Sequence, residues 1–167
     1  MLTNKRRDMK KILTLALVLV VALMATSCGP KGKENPLVKG VVGEWKLTSW
    51  SASLIEQIEV YVEFKADNTF VLYQKDLQTP INYVTFKGTY LISGDIITGK
   101  YSDGKNWGAT NGYQTTLEAD GTLKMVNADN PDDVSKYTKT TIPSSVKGGA
   151  AKLSTRGDEA FEVKRYL

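Results

Sequence analysis

The sequence predicts an all-β fold, a single antiparallel up-and-down barrel of about eight strands with a short C-terminal helix and a final short strand. Short segments rich in β-branched and aromatic residues alternate with Gly, Asn and Asp turns over about 130 residues, which is enough for one core. Glycines inside consecutive hairpins allow the sheet to bend strongly. A sandwich is the alternative for such a bent sheet, but closing an up-and-down order into a barrel removes the free edges.

The predicted elements follow one another closely along the chain. Strands are predicted over residues 44–51, 58–65, 69–75, 82–93, 96–102, 112–118, 122–127 and 134–141. A helix is predicted over 143–153, because Pro143 suits the first turn of a helix. A last strand is predicted over 160–166.

Two similar turns predict the registers of two hairpins. Residues 66–69 read Ala-Asp-Asn-Thr and residues 119–122 read Ala-Asp-Gly-Thr, which suits a three-residue loop with a left-handed third position. The expected cross-strand pairs are Phe64 with Phe70, Val62 with Leu72, and Leu117 with Leu123. A slip by one residue would place charged side chains on the apolar face.

A third hairpin is predicted to turn at Gly94-Asp95. A two-residue loop there pairs each interior glycine with an aromatic residue on the facing strand. The expected pairs are Ile92 with Ile97, Tyr90 with Gly99, and Gly88 with Tyr101.

The first 27 residues have the order of a secretory signal peptide: basic residues, then an apolar run over 12–25, then small residues. The apolar run spans ~21 Å as a helix, which is short of the ~30 Å of a bilayer core. Cys28, the only cysteine, follows directly, and this order resembles bacterial lipoprotein signals; the resemblance implies that Cys28 carries acyl chains such as palmitate. Cleavage after Ser27 without lipid is the alternative, and Met9 is an alternative start to Met1.

Removal of this leader leaves a chain without net charge. Five of the 22 Lys and Arg residues and one of the 18 Asp and Glu residues precede Cys28, so 17 of each sign remain. No basic field is left to indicate nucleic-acid binding. Residues 28–40 carry two prolines and three glycines and predict a flexible tether from the acylated cysteine to a domain over 41–167. We expect a bacterial cell-envelope location, with a periplasm-facing outer-membrane lipoprotein favoured over surface exposure.

Gly43 and Trp45 form a Gly-x-Trp motif at the start of the first strand. With the strands that follow, this segment resembles the lipocalin-like domains found on bacterial lipoproteins. The resemblance implies that an arginine packs over the tryptophan; Arg165 is the candidate, with Lys139 as the alternative. It also implies a barrel that either fills with side chains or holds one small ligand.

Aromatic residues are the candidates for such a ligand site. Trp107 lies in a long polar loop, where it would either cap a ligand at the barrel mouth or fold back onto the rim of its own barrel. Four tyrosines of the later strands would contribute to a half-apolar pocket or keep their hydroxyls at the rim; these are Tyr90, Tyr101, Tyr113 and Tyr137.

Residues for catalysis are scarce. The chain has no histidine, and acylation would occupy its one thiol. It has no Gly-rich phosphate loop, serine elbow or metal-ligand spacing, so we expect no enzyme activity, no cofactor and no metal site.

The sequence therefore predicts a membrane-anchored barrel that binds a small hydrophobic or amphipathic molecule. The alternative is an interaction module that docks another cell-envelope protein. That alternative depends on an exposed outward patch formed by Trp50, Tyr61, Val71 and Tyr73.

Overall fold

The computed structural model describes residues 35–51, 55–78, 82–149 and 164–167, and its strands close into one antiparallel barrel in sequence order. The elements are α1 (Pro36–Val41), β1 (Gly43–Trp50), a 3-10 turn (Ile55–Gln57), β2 (Ile58–Phe64), β3 (Thr69–Asp76), β4 (Val84–Ser93), β5 (Ile96–Tyr101), β6 (Tyr113–Leu117), β7 (Leu123–Asn127), β8 (Val134–Lys139) and α2 (Ser144–Gly149). The predicted barrel is confirmed, and β1 pairs with β8 to close it.

All three predicted hairpin registers are confirmed. Phe64 pairs with Phe70 across β2 and β3, and Leu117 pairs with Leu123 across β6 and β7. Tyr90 faces Gly99 across β4 and β5. The third loop positions are left-handed as expected, with φ 63° at Asn68 and 84° at Gly121.

The barrel has two different ends. At the closed end, where β1 begins, the strands are joined by the short turns 65–68, 94–95 and 118–122. At the open end the connections are longer, over 51–57, 77–83, 102–112 and 128–133. Large side chains occupy the axis between them, among them Trp45, Phe64, Phe70 and Tyr137, each at most 1% exposed.

The closed end is covered by α1. Asn35 caps this helix by accepting from the Leu37 N–H at 3.0 Å, and its own side-chain amide donates to the Gly94 carbonyl. The Trp45 indole N–H donates to the Val41 carbonyl at 2.8 Å, which ties the last residue of α1 to the core. The predicted flexible tether over 28–40 is therefore wrong for residues 36–40, which are helical because Asn35 and Pro36 start a capped turn.

The segment that contains α2 covers the outer face of β2 and β3. Glu44 holds it by accepting from the Ile142 N–H and from the Lys147 ammonium, the latter at 2.6 Å. Ile142 and Val146 then pack on the outward side chains Tyr61, Val71 and Tyr73, which are 5–8% exposed. The exposed docking patch expected from the sequence is wrong for these three residues, because the chain covers them itself, and for Trp50, which packs partly buried against the inner core cluster.

The predicted helix over 143–153 is confirmed for Ser144–Gly149, and residues 150–153 lie outside the described residues. The predicted strand over 160–166 is wrong for residues 164–166, which have no strand pairing, and residues 160–163 lie outside the described residues. Cys28 and the predicted leader, residues 1–27, also lie outside them. Across the described ranges, none of the helices has the length and apolar character needed to cross a bilayer.

Candidate functional site

The open end is lined by the connection between β5 and β6, which folds back into the barrel. The Tyr101 N–H donates to the Lys105 carbonyl at 2.8 Å, and the Trp107 N–H donates to the Gly99 carbonyl at 3.0 Å. Beyond Ile97, the returning chain therefore pairs with the edge of β5 in place of β6. As a result, β6 pairs with β5 at only two positions. This arrangement delivers Trp107 to the inner face of β5.

Trp107 is buried in the barrel, with 3% of its surface exposed. Its ring lies on Gly99, where a Cβ atom would come within 2.0 Å of the indole. It makes edge contacts with Phe70 and Phe64, at centroid distances of 5.1 and 6.2 Å. Trp107 therefore packs inside the barrel as part of the core cluster, deeper than the rim position expected for a loop that folds back.

The indole N–H of Trp107 is buried without a hydrogen-bond partner among the described residues. A buried donor without an acceptor costs free energy, so an acceptor atom placed beside it would be stabilising. The only other buried side-chain polar atom of this kind in the described part of the chain is the Thr85 hydroxyl.

Three of the four candidate tyrosines share the same part of the interior. Burial raises the pKa of Tyr101 and of Tyr137, and it raises the pKa of Tyr113 to about 12. Tyr113 lies against the Trp107 ring at a centroid distance of 6.2 Å, Tyr101 lies against Phe70 at 5.5 Å, and Tyr137 belongs to the same core cluster. Tyr90 is separate, because its hydroxyl donates to the Lys65 carbonyl at 2.7 Å, beside a closed-end turn.

Residues 164–167 lie across the open end, which the sequence did not predict. Leu167 is 4% exposed and belongs to the core cluster, and its main-chain oxygen accepts from the Tyr101 hydroxyl at 2.9 Å. The side-chain amide of Gln74 donates to the Lys164 carbonyl and accepts from the Tyr166 N–H at 3.3 Å. The Tyr166 ring meets Trp50 edge-on at 5.5 Å. We call these four residues the mouth segment.

Arg165 does not pack over Trp45, so the first of the two implied candidates is wrong. The mouth segment lies at the open end, whereas Trp45 lies at the closed end, where Lys139 Nζ stands 5.4 Å from its ring. The Arg165 guanidinium instead lies 4.5 Å from the Tyr101 ring and 4.8 Å from the Phe86 ring.

Arg165 also forms a bidentate ion pair with Asp103 of the β5–β6 connection. Hydrogen bonds from Arg165 and from the Lys105 N–H lower the pKa of Asp103 to about 2. The mouth segment is therefore held in three ways. Arg165 forms an ion pair with Asp103, Gln74 and Tyr101 form hydrogen bonds with its main chain, and the Leu167 side chain is buried in the core.

Gln74 is a residue of the candidate site that was not predicted, although the sequence carries a signal for it. Phe70, Leu72 and Gln74 share the inward phase of β3, so the strand alternation places a polar side chain in the core. Such a residue needs a buried partner, and here the partner is the main chain of the mouth segment.

The family comparison agrees with this architecture. Residues 41–125 match the model of the lipocalin-like domain, a range that runs from the end of α1 into β7. A search of curated proteins finds no match to the chain. Within the described ranges, no three His, Cys, Asp or Glu side chains are placed to hold a metal ion.

Proposed function

Because the chain belongs to the lipocalin-like domain family, we propose that it is a lipoprotein of the bacterial cell envelope that binds a small amphipathic ligand at the open end of its barrel. A lipocalin-like barrel fits ligand binding in general. Acyl chains on Cys28, after removal of a signal peptide over 1–27, would anchor the protein in the outer membrane, and several chains bind far more firmly than one.

The observation that carries the ligand proposal is the unpartnered indole N–H of Trp107. The Trp107 ring contacts the rings of Phe64, Phe70 and Tyr113, so a ligand with an apolar body and one acceptor atom would suit both the aromatic surroundings and the N–H. The site has no histidine to act as a general base, which supports binding rather than catalysis.

Native mass spectrometry of the protein purified from its own membrane tests both parts of the proposal. The expected spectrum shows acyl chains on Cys28 and a retained ligand. A mature mass without acyl chains would contradict the anchoring, and a ligand-free protein that also ignores added dodecanoate would contradict the ligand proposal.

A substitution tests the role of the indole N–H. Trp107→Phe keeps an aromatic ring but removes the donor, so we expect dodecanoate to bind about tenfold more weakly, the value of one hydrogen bond of ~1.4 kcal/mol. Tyr90→Phe is the matched control, because it removes one polar atom from an aromatic side chain that points to the closed end. Equal affinities of wild type and Trp107→Phe would refute the assigned role.

A further inference from the structure

The contacts of the mouth segment, Lys164–Leu167, describe a second kind of ligand. Gln74 contacts only main-chain atoms of this segment, a carbonyl at Lys164 and an N–H at Tyr166. The Tyr101 hydroxyl likewise donates to a main-chain atom, the oxygen of Leu167, while its ring faces the Arg165 guanidinium. Gln74 and Tyr101 are 3% and 4% exposed, so two buried polar side chains are used to bind a peptide backbone.

The side chains of the mouth segment are recognised separately. Arg165 is bound by the Asp103 carboxylate and by the faces of Phe86 and Tyr101. Leu167 is buried in the core cluster. These contacts favour a basic residue followed two positions later by an aliphatic one.

The residue between them is also contacted. Tyr166 lies edge-on against Trp50, which in turn is fixed by the hydrogen bond from its indole N–H to Asp133 at 2.6 Å. A basic, an aromatic and an aliphatic residue in succession therefore each meet a fitting partner at the open end.

We propose that the open end of the barrel is a peptide-binding site for an extended basic-aromatic-aliphatic segment of another envelope protein, and that the mouth segment occupies it as an internal competitor. This inference goes beyond the function proposed above: it places a second kind of ligand at the same open end, since the mouth segment leaves the Trp107 indole N–H without a partner. Because the mouth segment belongs to the same chain, it competes with an added peptide at an effective concentration on the order of mM. Wild-type protein should therefore bind such peptides weakly, and a protein with a weakened mouth segment should bind them well.

The test uses the full chain and a fluorescent peptide, acetyl-Lys-Arg-Tyr-Leu-amide, in a polarisation titration. Arg165→Glu places a negative charge opposite Asp103 and releases the mouth segment, while the peptide supplies its own arginine. We expect this variant to bind the peptide at least about tenfold more tightly than wild type. Lys87→Glu is the matched control, because it makes the same change in charge at an exposed position of β4 and should bind as wild type does.

A second variant tests the hydrogen bonds between Gln74 and the peptide main chain. Adding Gln74→Leu to Arg165→Glu should weaken peptide binding at least about tenfold, because the peptide main chain loses both hydrogen bonds. A peptide with glutamate in place of arginine should also bind at least about tenfold more weakly. If neither the Gln74→Leu substitution nor the glutamate peptide weakens binding, the proposed recognition of the peptide main chain and of its arginine is refuted.

Folded Arg165→Glu protein that binds no peptide would overturn the inference. If the same protein binds dodecanoate, the ligand site stands and only its peptide specificity fails; if it binds neither, both proposals fail. Should Arg165→Glu not fold, saturation-transfer NMR on wild type with peptide at ~10 mM decides, since such a concentration competes with the mouth segment. Absence of saturation transfer to the peptide overturns the inference. Concentration-dependent dimers of the wild type in ultracentrifugation also overturn it, because they would identify a second copy of the chain as the ligand of the open end.

Discussion

Replacing Gly99 by alanine should displace Trp107 from the barrel interior. The added methyl carbon would lie 2.0, 2.3 and 2.4 Å from three atoms of the indole ring, Cε2, Cζ2 and Cδ2. Ordinary contacts between such carbons begin near 3.4 Å, so the ring has to retreat by about 1.0 to 1.4 Å at these atoms. Phe70 and Phe64 stand behind it, at centroid distances of 5.1 and 6.2 Å, and leave it little space.

The cost follows from how the barrel relaxes. If Trp107 stays inside, overpacking costs ~1–3 kcal/mol. If it leaves, the barrel loses a large buried aromatic side chain, which costs ~3–5 kcal/mol. We therefore expect Gly99→Ala to lower the free energy of unfolding by about 3 kcal/mol.

Urea denaturation gives this free energy, and tryptophan emission reports the position of the ring. Emission should shift to the red in Gly99→Ala because the indole gains contact with water. Gly108→Ala is the control: it adds the same methyl group one residue after Trp107, where the nearest atom, the Tyr113 hydroxyl oxygen, is 3.5 Å away. The packing argument fails if Gly99→Ala costs less than 1 kcal/mol with unchanged emission, or if both variants lose the same stability.

Three further predictions concern charge and ionisation. The pKa of Asp103 is lowered from its ordinary 3.8 to about 2, so its ion pair with Arg165 is complete above pH ~4 and is lost as the pH falls through about 2. NMR signals of the Arg165 guanidinium should report the loss of the ion pair in this pH range, and Asp103→Asn should abolish that pH-dependent change. Burial raises the pKa of Tyr101 and Tyr113 above the ordinary 10, so stability should fall as the pH rises above 10; equal urea midpoints at pH 9 and pH 11 would contradict this. Glu44→Gln removes the partner of the Lys147 ammonium and should cost about 1 kcal/mol, with more binding of naphthalene-sulfonate dye to the uncovered outer face; unchanged dye binding would contradict the assigned role.

The hairpins could be predicted because their information is local. A turn of three residues that needs a left-handed third position is visible at Asn68 and at Gly121 without any knowledge of the rest of the chain. The apolar alternation on either side then admits one register only, since a slip by one residue would turn a charged side chain inward. The closed barrel was predicted because consecutive hairpins in an up-and-down order leave no free edge once the sheet closes.

The site could be predicted only in part, because it depends on contacts between distant parts of the chain. Trp107 and Tyr101 were recognisable as aromatic residues near one end of the barrel. The Trp107 ring can lie inside the barrel only because Gly99 of β5 has no side chain at that position. The position of the Arg165 side chain depends on its ion pair with Asp103, which lies 62 residues away in the sequence. No pattern in the sequence indicates that these two residues meet.

The chain covers two of its own surfaces, and this changes how a binding measurement should be interpreted. Ile142 and Val146 cover the outward aromatic residues, and the mouth segment covers the open end. A ligand that enters the open end must compete with the mouth segment, so the measured Kd equals the intrinsic Kd divided by the fraction of molecules with an open mouth. A weak apparent affinity of the wild-type protein would then reflect a small open fraction rather than poor complementarity, and the ratio of the affinities of Arg165→Glu and wild type for one peptide measures that fraction directly.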